Sequence, residues 1–124
     1  MGMERVRRVL VVDDEVLITM LLGDMLEDLG CEVVGPALHV DAAVTMAREE
    51  TFDWAILDIS LEGAPSFPVA EVLRARGVPF VFASGYGSAA KGSGFEDVPV
   101  MQKPFSMAQL SDALDALDAL NAPI

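Results

Sequence analysis

Asp58 closes the apolar run Trp54-Ala55-Ile56-Leu57, at the point where a buried strand would open into a loop. Other polar residues end apolar runs in the same way. Asp13 and Asp14 follow Val9-Leu10-Val11-Val12, Ser84 follows Val78-Pro79-Phe80-Val81-Phe82-Ala83, and Lys103 comes soon after Val98-Pro99-Val100-Met101. Singly, each has a plain explanation: Asp pairs cap helices, a strand-end Ser is solvated, and Lys-Pro makes a turn. Side by side in a parallel sheet, they would set three carboxylates, a hydroxyl and an ammonium at one edge. Crowded carboxylates raise one another's pKa unless a cation neutralises them. Mg²⁺ suits such a set, because it takes oxygen ligands, usually one or two carboxylates plus water and phosphate oxygens. One carboxylate would then be a nucleophile forming an aspartyl phosphate, and Asp58 is the candidate because it ends the central strand. Lys103 would neutralise phosphoryl oxygens opposite the metal, and Ser84 would donate a hydrogen bond to one.

The elements that must position these residues follow from periodicity. Apolar residues at Ile18, Leu21, Leu22, Met25 and Leu29 have helical spacing, and Gly30 follows as a stop. A short strand, Cys31 to Val34, ends at Gly35-Pro36, and Val40, Ala43, Val44 and Ala47 mark a second helix with Asp41 in its first turn. A loop through residues 62–66 precedes a third helix, with Pro68 in its first turn and its end near Arg76. Gly85, Gly87, Gly92 and Gly94 make any fourth helix short, at about 1 kcal/mol per glycine relative to alanine. The last helix carries Met107, Leu110, Leu114 and Leu117 on one face behind Ser106 as N-cap. Five strands alternating with five helical patterns predict an α/β fold: a doubly wound, flavodoxin-like parallel sheet in the order 2-1-3-4-5, with helices on both faces. Ligands of such sheets sit beyond the carboxyl ends of the strands, where all the polar residues of the first set fall.

A chain of 124 residues with 52 % apolar content is one domain with a real core, taken as residues 1–124 with the core at about 6–121 and no output domain. A net charge of −12 with eight dispersed basic residues argues against nucleic acid and anionic membranes. It favours partners with a basic or apolar docking face. Arg5, Arg7 and Arg8 precede an apolar run too short for a signal peptide. Cys31 is the single cysteine, which excludes an intrachain disulfide and fits a cytoplasmic location. His39 reads as a surface residue near a helix start, and Trp54 and the seven methionines as packing.

Asp13-Asp14-Glu15, Asp58, Ser84 and Lys103-Pro104-Phe105, each at its strand end, resemble the response-regulator receiver domain of two-component signalling. The resemblance covers essentially the whole chain. It implies that Asp58 accepts a phosphoryl group from a histidine kinase or a histidine phosphotransfer protein, with Mg²⁺ required. It further implies direct metal ligation by Asp14, Asp58 and the backbone carbonyl of Ser60, water-mediated ligation by Asp13, and a cis Lys103-Pro104 bond. The stretch Phe82-Ala83-Ser84-Gly85-Tyr86 is similar to stand-alone bacterial receivers with Phe-Ala-Thr-Gly-Tyr there. Two departures stand out: Glu62 replaces the usual Pro before the loop glycine, and Val100 replaces the aromatic that often swings on activation.

The expected function is a phosphoryl-accepting signalling module, not a turnover enzyme, acting by protein contact, phosphorelay or phosphate-sink action, as a monomer or weak dimer. An alternative is a phosphate-independent pseudo-receiver, which the intact acceptor set opposes. An aspartyl-phosphate phosphatase resembling haloacid dehalogenases needs a general acid two residues after the nucleophile, where this chain has Ser60. A flavin module needs a hydroxyl- and glycine-rich loop after the first strand and would meet Asp13-Asp14-Glu15 instead.

Overall fold

The structure is a computed structural model that describes residues 6–85, 93–103 and 105–121, apart from the side chains of residues 120 and 121. Its elements run β1 (Arg7–Val12), α1 (Val16–Asp28), β2 (Cys31–Ala37), α2 (Val40–Glu49), β3 (Trp54–Asp58), β4 (Ser60–Leu61), β5 (Ala64–Pro65), α3 (Phe67–Arg76), β6 (Phe80–Ser84), β7 (Val100–Gln102) and α4 (Met107–Asn121). Five strands form one parallel sheet, β2-β1-β3-β6-β7, which is the expected 2-1-3-4-5 order once the two-stranded β4–β5 ribbon is set aside.

Alternation along each strand splits the core in two. Leu10, Val12, Ala55, Leu57, Phe80 and Phe82 face α2 and α3, meeting Ala43, Ala47, Val69, Ala70 and Leu73. Val9, Val11, Trp54, Ile56, Val81 and Ala83 face α1 and α4, meeting Leu22, Leu26, Leu110, Leu114 and Leu117. Each fully buried leucine contributes about 1.5–3 kcal/mol relative to an exposed one, so the sheet is clamped from both sides. The fourth of the five expected helical patterns falls on residues 86–92, outside the described residues, as does the Lys103-Pro104 bond.

Several boundaries differ from the periodicity reading. β2 does not stop at Gly35-Pro36 but continues to Ala37, with a cis Gly35-Pro36 bond and a register shift against β1 between Leu10 and Val12. Gly35 has φ +99, and a Cβ there would lie 2.9 Å from Ala37 N and 3.2 Å from Val11 O, so only glycine fits. Leu21 and Met107 are exposed, whereas Thr19 and Leu26 take the inward positions on α1. The helical period is 3.6, so of two neighbouring apolar residues only packing decides which faces in. Ser106 does cap α4, and reciprocally: Gln109 N donates to Ser106 Oγ at 3.2 Å and Ser106 N to Gln109 Oε1 at 2.8 Å.

Candidate functional site

The carboxyl edge of the sheet gathers the chemistry. Asp13 follows β1 and is held at both ends: its N–H donates to Ala37 O at 3.1 Å, and its Oδ1 accepts from Glu15 N at 2.9 Å. That second bond turns the chain into α1. Asp58 is the last residue of β3, between β1 and β6, and its Oδ1 accepts from Ser60 N at 3.2 Å. Ser84 is the last residue of β6 and is buried. Its carbonyl accepts from Lys103 N at 2.8 Å, so the β6–β7 pairing sets Lys103 beside it. Asp14 is half-buried, and its Oδ2 accepts from Glu62 N at 2.7 Å.

Lys103 is the hub. Its Nζ lies 2.8 Å from Asp13 Oδ2, 3.0 Å from Asp58 Oδ2 and 3.2 Å from Glu15 Oε1, with 9 % of its side chain exposed. The contact with Asp58 is a hydrogen bond. Asp13 Oδ2 meets the same ammonium in a close ion pair and accepts no other hydrogen bond. Burial raises the Asp58 pKa, and Asp13 pushes it further; the Lys103 hydrogen bond and the Ser60 N–H lower it only in part. Burial alone would lower the Lys103 ammonium, but the contacts with Asp13 and Asp58 more than offset this, and its pKa is raised.

The four acids fit a divalent cation. One oxygen from each of Asp13, Asp14, Glu15 and Asp58 lies within 4.8 Å of the others, and the single ammonium of Lys103 is the only described cation facing these four carboxylates. An all-oxygen, all-acid set of this size suits Mg²⁺ better than a softer metal.

Asp13, Asp14, Asp58, Ser84 and Lys103 are therefore together at one edge, and Ser60 adjoins them through its N–H. Three further residues reach the site or its border from places that no strand end marks. Glu15 reaches Lys103 because the Asp13 turn folds it back over the site. Glu62 reaches Asp14 from a hairpin that no alternation pattern announces. His39 lies on the surface near the start of α2, as expected, yet its Nδ1 is 2.8 Å from Glu62 Oε1 and so touches the site's border.

Residues 9–115 match the family described as the Response regulator receiver domain. The chain belongs to that family. Among its relatives, the Transcriptional regulatory protein PdtaR of Mycobacterium tuberculosis is 32 % identical over 113 residues, covering 88 % of this chain and 55 % of that protein. This receiver domain thus spans about half the length of that curated relative. The solution structure of SdrG from Sphingomonas melonis Fr1 is 45 % identical with a TM-score of 0.82, covering 93 % of this chain and 98 % of SdrG. TrrA from Thermotoga maritima, solved in complex with Mg(2+)-BeF, is 25 % identical with a TM-score of 0.80, covering 90 % and 98 %. Receiver membership and fold are thus as the residues implied.

Proposed function

We propose that this receiver accepts a phosphoryl group on Asp58 from a histidine kinase or histidine phosphotransfer protein and signals through the state of that residue. The observation that carries this reading is the geometry around Asp58: a buried carboxylate 3.0 Å from the Lys103 ammonium, inside a cluster of four acids. In the transfer, an Asp58 oxygen attacks phosphorus. The O–P bond forms as the donor's N–P bond breaks, and the imidazole leaves with the electron pair and is reprotonated by solvent. Lys103 draws the phosphoryl oxygens toward the end of β7, and the Ser84 hydroxyl donates to one of them. Asp14, Asp58 and the Ser60 carbonyl would hold Mg²⁺ directly and Asp13 through water. That ion supplies the positive charge that lets two anions, carboxylate and phosphate, approach. Glu15 competes with phosphate for Lys103 and is displaced when phosphate binds.

On this reading the protein is a cytoplasmic signalling module and not a turnover enzyme. Its output is a protein contact, onward relay or phosphate drainage. No described helix is long and apolar enough to cross a membrane. The test is phosphorylation with acetyl phosphate, followed by intact mass. One phosphoryl group is expected, lost with EDTA and with Asp58→Asn; incorporation into the variant at the wild-type level would contradict the assignment.

A further inference from the structure

The residue that departs from the family's pattern, Glu62, sits in an unusual turn. β4 and β5 pair as Ser60 with Pro65 and Leu61 with Ala64, leaving a two-residue loop, Glu62-Gly63. Both loop residues have positive φ, +52 for Glu62 and +81 for Gly63, the backbone of a type I′ hairpin. For a non-glycine residue this conformation costs about 1–2 kcal/mol and needs something to hold it. Leu61, buried on one side of the turn, supplies part of the hold, and Ser66 N donating to Ile59 O at 2.8 Å closes the base of the ribbon. The rest comes from α2: His39 occupies its N-cap position without capping it, and instead pairs with the Glu62 carboxylate at 2.8 Å.

The turn aims Glu62 N–H at Asp14 Oδ2, 2.7 Å away. A proline at this position has no N–H to give. Asp14 is the least buried of the proposed metal-binding aspartates, and repulsion from Asp13 and Asp58 would swing it into solvent unless it were held. A carboxylate accepting one N–H through one oxygen keeps its other oxygen for a cation.

We propose that Glu62 and His39 are positioning residues for the metal: the Glu62 N–H keeps the Asp14 carboxylate at the cluster, and His39 keeps the turn that aims that N–H. This rests on the reading of the acids as a Mg²⁺ site. Outer partners of this kind set metal affinity by fixing ligand orientation before the ion arrives.

Calorimetric titration of the full chain with MgCl₂, at about 0.3 M potassium chloride to screen exposed charges, tests it directly. Glu62→Pro removes the N–H, and its ring cannot adopt a φ of +52, so Mg²⁺ binding should weaken about tenfold. Loss of the exposed His39 pair should weaken it about threefold in His39→Ala. Glu62→Gln keeps the N–H and an acceptor for His39, and should bind like wild type. Charge alone would instead make Glu62→Gln the weak binder. In phosphorylation by acetyl phosphate, His39→Ala should need more Mg²⁺ for half-maximal rate and reach the same maximum. Wild-type affinity in His39→Ala overturns the inference whether or not Glu62→Pro folds. A wild-type chain that binds no Mg²⁺ overturns the metal reading beneath it, a separate result.

Discussion

Lys103 Nζ lies 3.0 Å from Asp58 Oδ2 and 2.8 Å from Asp13 Oδ2, so one ammonium is shared between two buried carboxylates at the ends of different strands. This contact ties the end of β7 to the ends of β3 and β1. Any charge added to Asp58 is felt first by Lys103, and through the Lys103 N–H to the Ser84 carbonyl, by β6.

Lys103→Ala should destabilise the metal-free domain by about 3 kcal/mol, the usual size for removing one partner of a buried pair, because it leaves Asp13 and Asp58 facing each other. Mg²⁺ should then stabilise the variant more than it stabilises wild type, as it takes over the neutralising role. Denaturant titrations with and without MgCl₂ measure both effects. The variant should still accept phosphate, yet its NMR shifts should not follow the wild-type response to beryllofluoride. A wild-type response would remove Lys103 from the switch.

Asp58→Asn should be more stable than wild type near neutral pH in EDTA. The folded-state pKa of Asp58 is raised above its ordinary 3.8, chiefly by burial. Between those two values the folded chain binds more protons than the unfolded one, so stability falls as pH rises through the window. Above it the charged carboxylate costs stability that Asn does not. The variant should have the higher Tm above that window, and its advantage should shrink as pH falls through the window towards 3.8. Lys103 adds a loss at the other end: its raised pKa contributes stability that is complete below 10.5 and falls as pH rises above it. Melting curves across pH for the two proteins check the sign.

The signal should leave through the segment between Ser84 and Phe95. Val100, at the position where an aromatic often moves inward, has no ring to move. Phe95, beyond the segment of residues 86–92, is buried against Phe67, stacked at 5.8 Å, and edge-on to Phe82 at 6.2 Å. Ser84 pulled toward a phosphate would strain a chain anchored at both ends. Hydrogen exchange should show greater protection in residues 85–95 with beryllofluoride and Mg²⁺, and Phe95→Ala should abolish that difference. It should cost about 3–5 kcal/mol of stability, so exchange is compared at matched denaturation midpoints. An unchanged segment with a response on another surface would redirect the route.

Asp58, Asp13, Asp14, Ser84 and Lys103 were legible in the sequence because each ends an apolar run, and parallel topology alone brings such ends together. Strand order followed from the same alternation. Glu15, Glu62 and His39 were not legible. Their places depend on an Asx-type turn and a two-residue hairpin, which are set by single φ values and leave no periodic trace. Leu21 and Met107 show the converse limit, since an amphipathic repeat marks a face without deciding its edges. The extension of β2 through Pro36 was hidden because proline and glycine normally end a strand, and only an edge strand tolerates them; β2 is such an edge.

On the proposed reading, Asp58 is the phosphoryl acceptor and needs a divalent cation held by the acid cluster. Intact-mass spectrometry after incubation with acetyl phosphate measures it most directly, on wild type, Asp58→Asn and wild type in EDTA. One added phosphoryl group, mapping to Asp58, is expected in wild type with Mg²⁺, and none in the other two samples. Equal incorporation in EDTA, or a phosphoryl group persisting in Asp58→Asn, would contradict it.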